Sequence, residues 1–251
     1  MVYKTVVLLT CHEARDCVKD CVENIFKFNK DVCVVINNGI REDNLDDLKS
    51  EHVHVVNRKI PKEWITSLIP YHLELWDYMF EHNIQSEYII TLSSNQLFIK
   101  HDIYDFMKDY KAGYWARWLK VETIADIHCT CEDKSFCESY IDDLGRESFI
   151  HQSNHDGMFY RWDVFLNMMK YFEDHRGRLI NHFSEEFFYP AYLFKNIPKD
   201  EMAEFSKYNY WTTDFLTPEQ VDIGIAKGLY IAKRVTRVYD DPGRTYIRSL
   251  S

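Results

Sequence analysis

Two continuous apolar runs near the start of the chain, separated by an amphipathic stretch, constrain the fold more strongly than any other feature. Residues 6–9 and 32–36 contain no polar side chain, which is the pattern of strands buried on both faces of a parallel sheet. Between them, apolar positions recur at helical spacing, at Cys17, Val18, Cys21, Val22, Ile25 and Phe26. A strand, a helix and a second strand within about 30 residues form a β-α-β unit, the building block of doubly wound nucleotide-binding folds.

The rest of the chain continues this alternation of strand and helix patterns. Further strands are predicted at residues 53–56, 88–92 and 230–232, and helices at residues 67–82, 102–110, 161–173 and 185–195. The apolar face of the helix at 67–82 is predicted to consist of Leu68, Ile69, Leu73, Trp76, Met79 and Phe80. Residues 111–152 are aromatic and irregular. The pattern predicts an α/β fold of one domain over residues 1–251, with a mixed, mostly parallel central sheet flanked by helices.

The composition argues against several classes of protein. With 251 residues, of which 46% are apolar, the chain is long enough to bury a sizeable core. The net charge of −10, without a long basic stripe, argues against a nucleic-acid partner. No apolar run reaches the ~18 residues that a membrane span requires. The seven cysteines are expected to be reduced thiols in a cytoplasmic protein.

The motifs of the commonest phosphate-binding and metal-binding sites are missing from the sequence. The chain has 8 glycines, and it contains neither GxGxxG, typical of dinucleotide oxidoreductases, nor the glycine-rich loop of P-loop kinases. Cys129 and Cys131 lie too close together for the paired ligands of a structural zinc site. No two aspartates are two positions apart, so the Asp-x-Asp pair with which many nucleotide-sugar enzymes hold Mg²⁺ or Mn²⁺ is absent. We therefore expect no metal site and no bound cofactor.

A basic cluster near the end of the sequence offers a replacement for such a metal. Its members are Lys233, Arg234, Arg237, Arg244 and Arg248. Guanidinium groups bind phosphate oxygens bidentately, so they can stabilise a leaving diphosphate. A solvated, charged surface is the alternative interpretation, and the spacing alone does not choose between the two.

Polar residues at the ends of predicted elements are candidates for the chemistry. His12 follows the first strand, and the polar loop 93–96 follows the strand at 88–92, where ligands bind in α/β sheets. Glu185 and Glu186 open a helix ahead of an aromatic run. Acidic residues suit the positive end of a helix dipole. The same pair also suits a general base that the aromatic residues partly desolvate, and both interpretations remain open.

The order of these segments resembles the core-2/I-branching β-1,6-N-acetylglucosaminyltransferase family, which also includes peptide O-xylosyltransferases and short bacterial and viral relatives. The similar segments are residues 8–13, 64–67, 88–100, 156–161, 184–188, 233–237 and 241–244. They occur in the order of the family and cover nearly the whole chain. The chain departs from the family at Ser94, Asn95 and Gln96, which stand where the family has Gly-Gln-Asp.

The resemblance implies a GT-A-type fold and an inverting glycosyltransferase that moves a sugar from a nucleotide-sugar, with a UDP-sugar as the expected donor, to a glycan acceptor. It also implies that Glu186 is the catalytic base. Nucleotide and diphosphate binding falls to His12, Asn38, Lys233, Arg234, Arg237 and Arg244. Contacts with the substrate fall to Trp115, Asp156 and Glu185. For Trp115, a place in the core is the alternative interpretation.

Two other functions are compatible with the same sequence. The first is a xylosyl- or rhamnosyltransferase of the same fold. The second is a carbohydrate-binding module without catalysis on a degenerate transferase fold, which the altered residues 94–96 favour.

Overall fold

The β-α-β unit predicted at the start of the chain forms in the structure. The structure is a computed structural model that describes residues 2–11, 14–39, 45–57, 68–115, 117–119, 150–152, 156–174, 176 and 185–250. Strand β1 (Val2–Cys11), helix α1 (Arg15–Phe28) and strand β2 (Val32–Asn38) follow one another, and the two strands pair in parallel. Every residue of β2 is buried, as is the second half of β1, which is expected for strands covered on both faces.

The remaining elements alternate much as the sequence patterns predict. The strands are β3 (Val53–Asn57), β4 (Gln85–Ser93), β5 (Gln96–Phe98), β6 (Ala112–Tyr114), β7 (Arg117–Leu119), β8 (Ile150–Gln152), β9 (Phe159–Arg161), β10 (Met202–Glu204), β11 (Asn209–Trp211) and β12 (Ile231–Lys233). The helices are α2 (Ile69–Glu81), α3 (Tyr104–Met107), α4 (Trp162–Glu173), α5 (Glu185–Asn196), α6 (Pro218–Ala226) and α7 (Pro242–Ser249). Short 3-10 helices span Asp46–Leu48, Lys199–Glu201 and Phe205–Lys207.

Within the described residues, seven strands form the central sheet in the order β10-β6-β9-β4-β1-β2-β3. Strands β3, β2, β1 and β4 are mutually parallel, β9 is antiparallel to both of its neighbours, and β10 pairs in parallel with β6. A smaller sheet, β11-β12-β5, continues from the end of β4. The prediction of an α/β fold with a mixed, mostly parallel sheet is confirmed.

Two predicted helical features differ from the structure. The helix predicted at residues 102–110 is helical only from Tyr104 to Met107, because the chain enters it through Asp102 at a positive φ of 56° and turns again at Tyr110. Phe80, predicted on the apolar face of α2, is 76% exposed. Met79 takes the buried position in this turn, and Phe80 lies about 100° further around the helix.

Candidate functional site

The carboxyl ends of the parallel strands bring polar side chains together at one edge of the central sheet. The strand register sets Thr10 beside Ser93, and Asn38 between Cys11 and Asn57. The polar side chains at this edge are buried rather than solvated, at Thr10, Asn37, Asn38, Ser93, Ser94 and Gln96. Because ligands of α/β proteins bind outside this edge, we call it the carboxyl edge and take it as the candidate site.

Asn38, a predicted nucleotide contact, is the last residue of β2 and lies at the carboxyl edge. Its Nδ2 donates a hydrogen bond to Oδ1 of Asn57 at 3.1 Å. The preceding Asn37 donates to a carboxylate oxygen of Glu74 on α2 at 3.3 Å. These contacts fix the ends of β2 and β3 relative to each other and to α2. His12, the other predicted nucleotide contact in this region, lies outside the described residues.

The turn between β4 and β5 is bound to the segment that carries the basic residues. Inside the turn, Oε1 of Gln96 accepts the backbone N–H of Ser93 at 3.1 Å. The carbonyl of Asn95 accepts the backbone N–H groups of Arg234 and Val235 at 3.2 and 3.0 Å. Residues 233–237, which we call the basic segment, therefore start directly against the turn that ends β4.

Lys233 and Asp156, predicted as separate diphosphate and sugar contacts, form an ion pair at the carboxyl edge. Nζ of Lys233 lies 3.3 Å from Oδ2 of Asp156, and the two side chains are 4% and 20% exposed. Lys233 pairs with Gln96 in the small sheet, and Asp156 precedes Gly157, whose N–H donates to the Thr91 carbonyl at 2.7 Å. The structure thus joins two residues that are 77 positions apart.

Arg234 and Arg237 follow Lys233 on the basic segment. Arg234 has a positive φ of 83°, a conformation that costs a non-glycine residue free energy and persists only where the surroundings impose it. Its guanidinium donates to the Thr213 carbonyl at 2.6 Å. The side chain of Arg237 is exposed.

Arg244, predicted to bind the diphosphate, is instead fully buried beneath the turn. Its guanidinium donates to Asp20 of α1 at 2.5 Å, to the Ser94 carbonyl at 2.7 Å and to the Thr236 carbonyl at 2.9 Å. These partners occupy donors that a phosphate would need, so the placement argues against direct diphosphate contact. The motif at residues 241–244 is instead the start of α7, where the Asp241 carboxylate caps the helix.

Glu185 and Glu186 begin α5, and the structure gives Glu185 a structural contact. The Glu185 side chain is 2% exposed, and its Oε2 accepts the backbone N–H of Leu68 at 3.0 Å. This contact gives Glu185 a structural role, and its contact with the substrate stays a prediction. Helix α2 leads from the carboxyl end of β3 back to the start of β4, so Leu68 and the start of α5 both lie at the carboxyl edge. The side chain of Glu186 lies outside the described residues.

A second contact fixes α5 against α2. The Tyr189 hydroxyl and Nδ1 of His72 are 2.7 Å apart and buried. Burial raises the pKa of Tyr189 well above its usual range, followed in effect by the nearby Tyr160 and Glu185, so the phenol remains protonated. The position of Glu186 along α5 is therefore set by buried polar contacts on both sides of it.

Trp115 follows β6 and packs into an aromatic cluster. Its ring stacks on Phe205, with the centroids 5.2 Å apart, and it lies 5.1 Å from the Trp211 ring. This is the core placement that the sequence left as the alternative. Sequence analysis missed Trp211, which pairs with Lys233 in the small sheet, because a three-residue strand is too short for a periodic pattern.

The described part of the chain contains neither a metal-binding cluster of side chains nor a membrane-spanning helix. No cluster of three or more His, Cys, Asp or Glu side chains there is arranged to hold a metal ion. None of the described helices is long and apolar enough to cross a membrane. Cys129, Cys131 and Cys137 lie outside the described residues.

Comparisons with known proteins give distant sequence relatives. No protein-family model matches the chain. A hyaluronan synthase of Pasteurella multocida is 28% identical over 149 residues, which cover 55% of this chain and 15% of that protein. A chondroitin synthase of Pasteurella multocida (strain Pm70) is 23% identical over 154 residues, which cover 57% of this chain and 16% of that protein. The chain therefore spans 15% and 16% of the lengths of these two curated relatives.

Two solved structures of glycosyltransferases are similar over most of the chain. The apo-form glycosyltransferase GlyE of Streptococcus pneumoniae TIGR4 has a TM-score of 0.40 and 11% identity, covering 93% of this chain and 55% of that chain. The galactosyltransferase LgtC, in complex with donor and acceptor sugar analogues, has a TM-score of 0.43 and 9% identity, covering 98% and 94%. Both similarities are distant. The resemblance to the core-2/I-branching family stays a prediction.

Proposed function

We propose that this chain is an inverting glycosyltransferase that moves a sugar from a UDP-sugar to a hydroxyl group of a glycan. One observation carries the proposal: the basic segment is hydrogen-bonded to the turn that ends β4, at the edge of the sheet where α/β proteins bind nucleotides. The curated relatives, named for the synthesis of the polysaccharides hyaluronan and chondroitin, support a transferase of this class. The order of motifs supports membership of the core-2/I-branching family.

In this proposal the donor diphosphate binds to the basic segment without a metal ion. Lys233, Arg234 and Arg237 supply the positive charge. Asn38, at the end of β2, lies towards the nucleoside, and His12, which follows β1 in the sequence, is the second proposed nucleotide contact. Fixed cations at the point where negative charge develops stabilise a leaving diphosphate, as a bound metal ion would. Arg244 contributes indirectly, by holding the turn and the basic segment together.

Glu186 acts as the general base in this reaction. It takes the proton from the acceptor hydroxyl while the oxygen attacks the anomeric carbon of the donor sugar. The bond between that carbon and the diphosphate oxygen breaks on the opposite face, and the electron pair leaves with the nucleoside diphosphate. The start of α5 at the carboxyl edge supports this role, because it brings the backbone of Glu186 to the edge where the donor would bind.

A thermal-unfolding screen against nucleotides and nucleotide-sugars, with and without EDTA, tests the proposal. A ligand that binds only the native state stabilises it by about 2.7 kcal/mol at a hundredfold excess over its Kd. We expect UDP or a UDP-sugar to raise the unfolding temperature equally in both conditions. A shift that EDTA abolishes would contradict metal independence. A shift produced by another nucleotide, and not by UDP, would mean that the donor is a sugar carried by that nucleotide.

Two alternatives have distinct outcomes. A xylosyl- or rhamnosyltransferase of the same fold would be stabilised by the corresponding donor in the same screen and would turn that donor over in a transfer assay. Ser94, Asn95 and Gln96 favour the second alternative, a carbohydrate-binding module without catalysis. Such a module would bind glycans without turning over any donor, and its glycan affinity would not depend on Glu186.

A further inference from the structure

Lys233 already has an anionic partner before any donor arrives. Its side chain is 4% exposed, and Asp156 occupies a position 3.3 Å from its ammonium group. A buried cation is costly unless an anion stays beside it. A diphosphate that approaches Lys233 therefore meets a carboxylate of like charge in its place.

We propose that Asp156 is an internal counterion that the donor diphosphate displaces from Lys233, and that the displaced carboxylate then accepts a hydrogen bond from a hydroxyl of the donor sugar. The inference rests on the proposed function and extends it to donor recognition. The ammonium group exchanges one anion for another, so its charge stays compensated throughout. A free nucleoside diphosphate lacks the hydroxyl of the transferred sugar that would bind the displaced carboxylate, so it binds less well than the intact donor.

The backbone on both sides of the pair is held by neighbouring strands, so the proposed exchange is one of side chains. Gly157 has a φ of +78°, and its carbonyl accepts Nδ2 of Asn209 at 3.0 Å. A Cβ on Gly157 would lie 2.5 Å from Nε2 of Gln96, so the loop is packed directly onto β5. Lys233 is held in β12 between β11 and β5. Asp156 is the more exposed partner, at 20%, so in this proposal it is the side chain that moves.

The exchange also favours release of the nucleoside diphosphate product. Once the sugar has been transferred, the nucleoside diphosphate no longer supplies the hydroxyl that holds the carboxylate away from Lys233. The carboxylate then competes with the diphosphate for the ammonium group, which weakens product binding. In this proposal Asp156 distinguishes the intact donor from its own product.

Titration calorimetry with UDP, inorganic pyrophosphate and UDP-N-acetylglucosamine tests the inference on the full chain. In Asp156→Asn the competing charge is gone, so we expect UDP and pyrophosphate to bind about tenfold more tightly than to the unchanged protein. The preference for UDP-N-acetylglucosamine over UDP should shrink, and inhibition of turnover by UDP should become stronger by a similar factor. Lys233→Met should weaken the binding of all three ligands.

Asp163→Asn is the matched control. It removes the same charge, and Asp163 also belongs to an ion pair, with Arg161 at 2.6 Å. Arg161 pairs with Tyr88, near the start of β4, so this control lies away from the carboxyl edge. We expect UDP and pyrophosphate affinities equal to those of the unchanged protein. Far-UV circular dichroism checks folding, and Asp156→Ser repeats the test if the asparagine variant does not fold.

The possible results separate the inference from the proposed function. If the unchanged protein binds UDP and Asp156→Asn binds UDP equally or more weakly, the counterion inference is wrong and the proposed function stands. If Asp163→Asn tightens binding as much as Asp156→Asn, the effect is one of net charge, and the inference is equally wrong. If the unchanged protein and the variants bind none of the three ligands, the proposed UDP-sugar transferase is wrong, and the inference falls with it.

Discussion

At the scale of single residues, Glu185 makes a buried contact, and its neighbour Glu186 is the proposed base. Glu185 is buried and accepts the N–H of Leu68, so its charge compensates an unpaired donor at the start of α2. The assignment of Glu186 as the base comes from the resemblance to the core-2/I-branching family and stays a proposal.

Substituting the two glutamates separately should give different effects, one on stability and the other on turnover. Glu185→Gln weakens a charge-assisted hydrogen bond, so we expect the free energy of unfolding to fall by about 1–3 kcal/mol. Glu186→Gln removes the proposed base, so kcat should fall about 10²- to 10⁴-fold with little change in stability. Urea unfolding and single-turnover transfer measure the two effects. Normal turnover in Glu186→Gln would exclude it as the base.

At the scale of elements, one side chain fixes the first helix against the small sheet. Asn24 of α1 accepts the backbone N–H of Phe98 at 2.7 Å through Oδ1 and donates to the Phe98 carbonyl at 2.9 Å through Nδ2. Phe98 ends β5, so its backbone groups have Asn24 as a buried partner on the side of the helix. The same helix carries Asp20, so its placement also decides the position of the buried ion pair.

Removing this side chain should loosen the contact between α1 and β5. In Asn24→Ala a buried N–H and a buried C=O lose their partner, so we expect a loss of about 2–4 kcal/mol in the free energy of unfolding. Asn29→Ala is the control, because among the described residues the Asn29 side chain bonds within its own helix end, to the Ile25 carbonyl at 3.1 Å. Its expected cost is about 1 kcal/mol. Equal costs in urea unfolding would contradict the role assigned to Asn24.

At the scale of the whole molecule, Arg244 connects parts of the chain that are far apart in sequence. Its partners are Asp20, 224 positions away, and Ser94, 150 positions away. The C-terminal helix, the first helix and the turn that ends β4 therefore meet at one guanidinium. Because the same group also binds the Thr236 carbonyl, it sets the position of the basic segment relative to the turn.

Removing only Arg244 from its ion pair with Asp20 should lower the free energy of unfolding more than removing both charges. Arg244→Met leaves Asp20 buried beside fewer positive charges, and we expect a loss of about 3–5 kcal/mol in the free energy of unfolding. Adding Asp20→Leu removes the uncompensated charge, so the double variant should be more stable than Arg244→Met alone. A double-mutant cycle in urea measures the coupling. Strictly additive costs would show that the two residues do not act as a pair.

The sequence by itself determined the elements whose signal is local. The apolar runs at residues 6–9 and 32–36 and the helical repeat between them specify β1, α1 and β2, because a strand buried on both faces needs a continuous apolar run. The position of the candidate site followed from the same pattern, since the ends of parallel strands meet at one edge.

The tertiary structure alone decided the contacts and the burial of the charged residues. Lys233, Arg234, Arg237 and Arg244 look alike in sequence, yet one pairs with Asp156, one is strained beside the turn, one is exposed and one is fully buried. The environment of a charge depends on partners brought in from 77 to 224 positions away, and no local pattern records them. A charge is stable inside a protein only when its counterion arrives with the fold, and that pairing is a property of the folded chain as a whole.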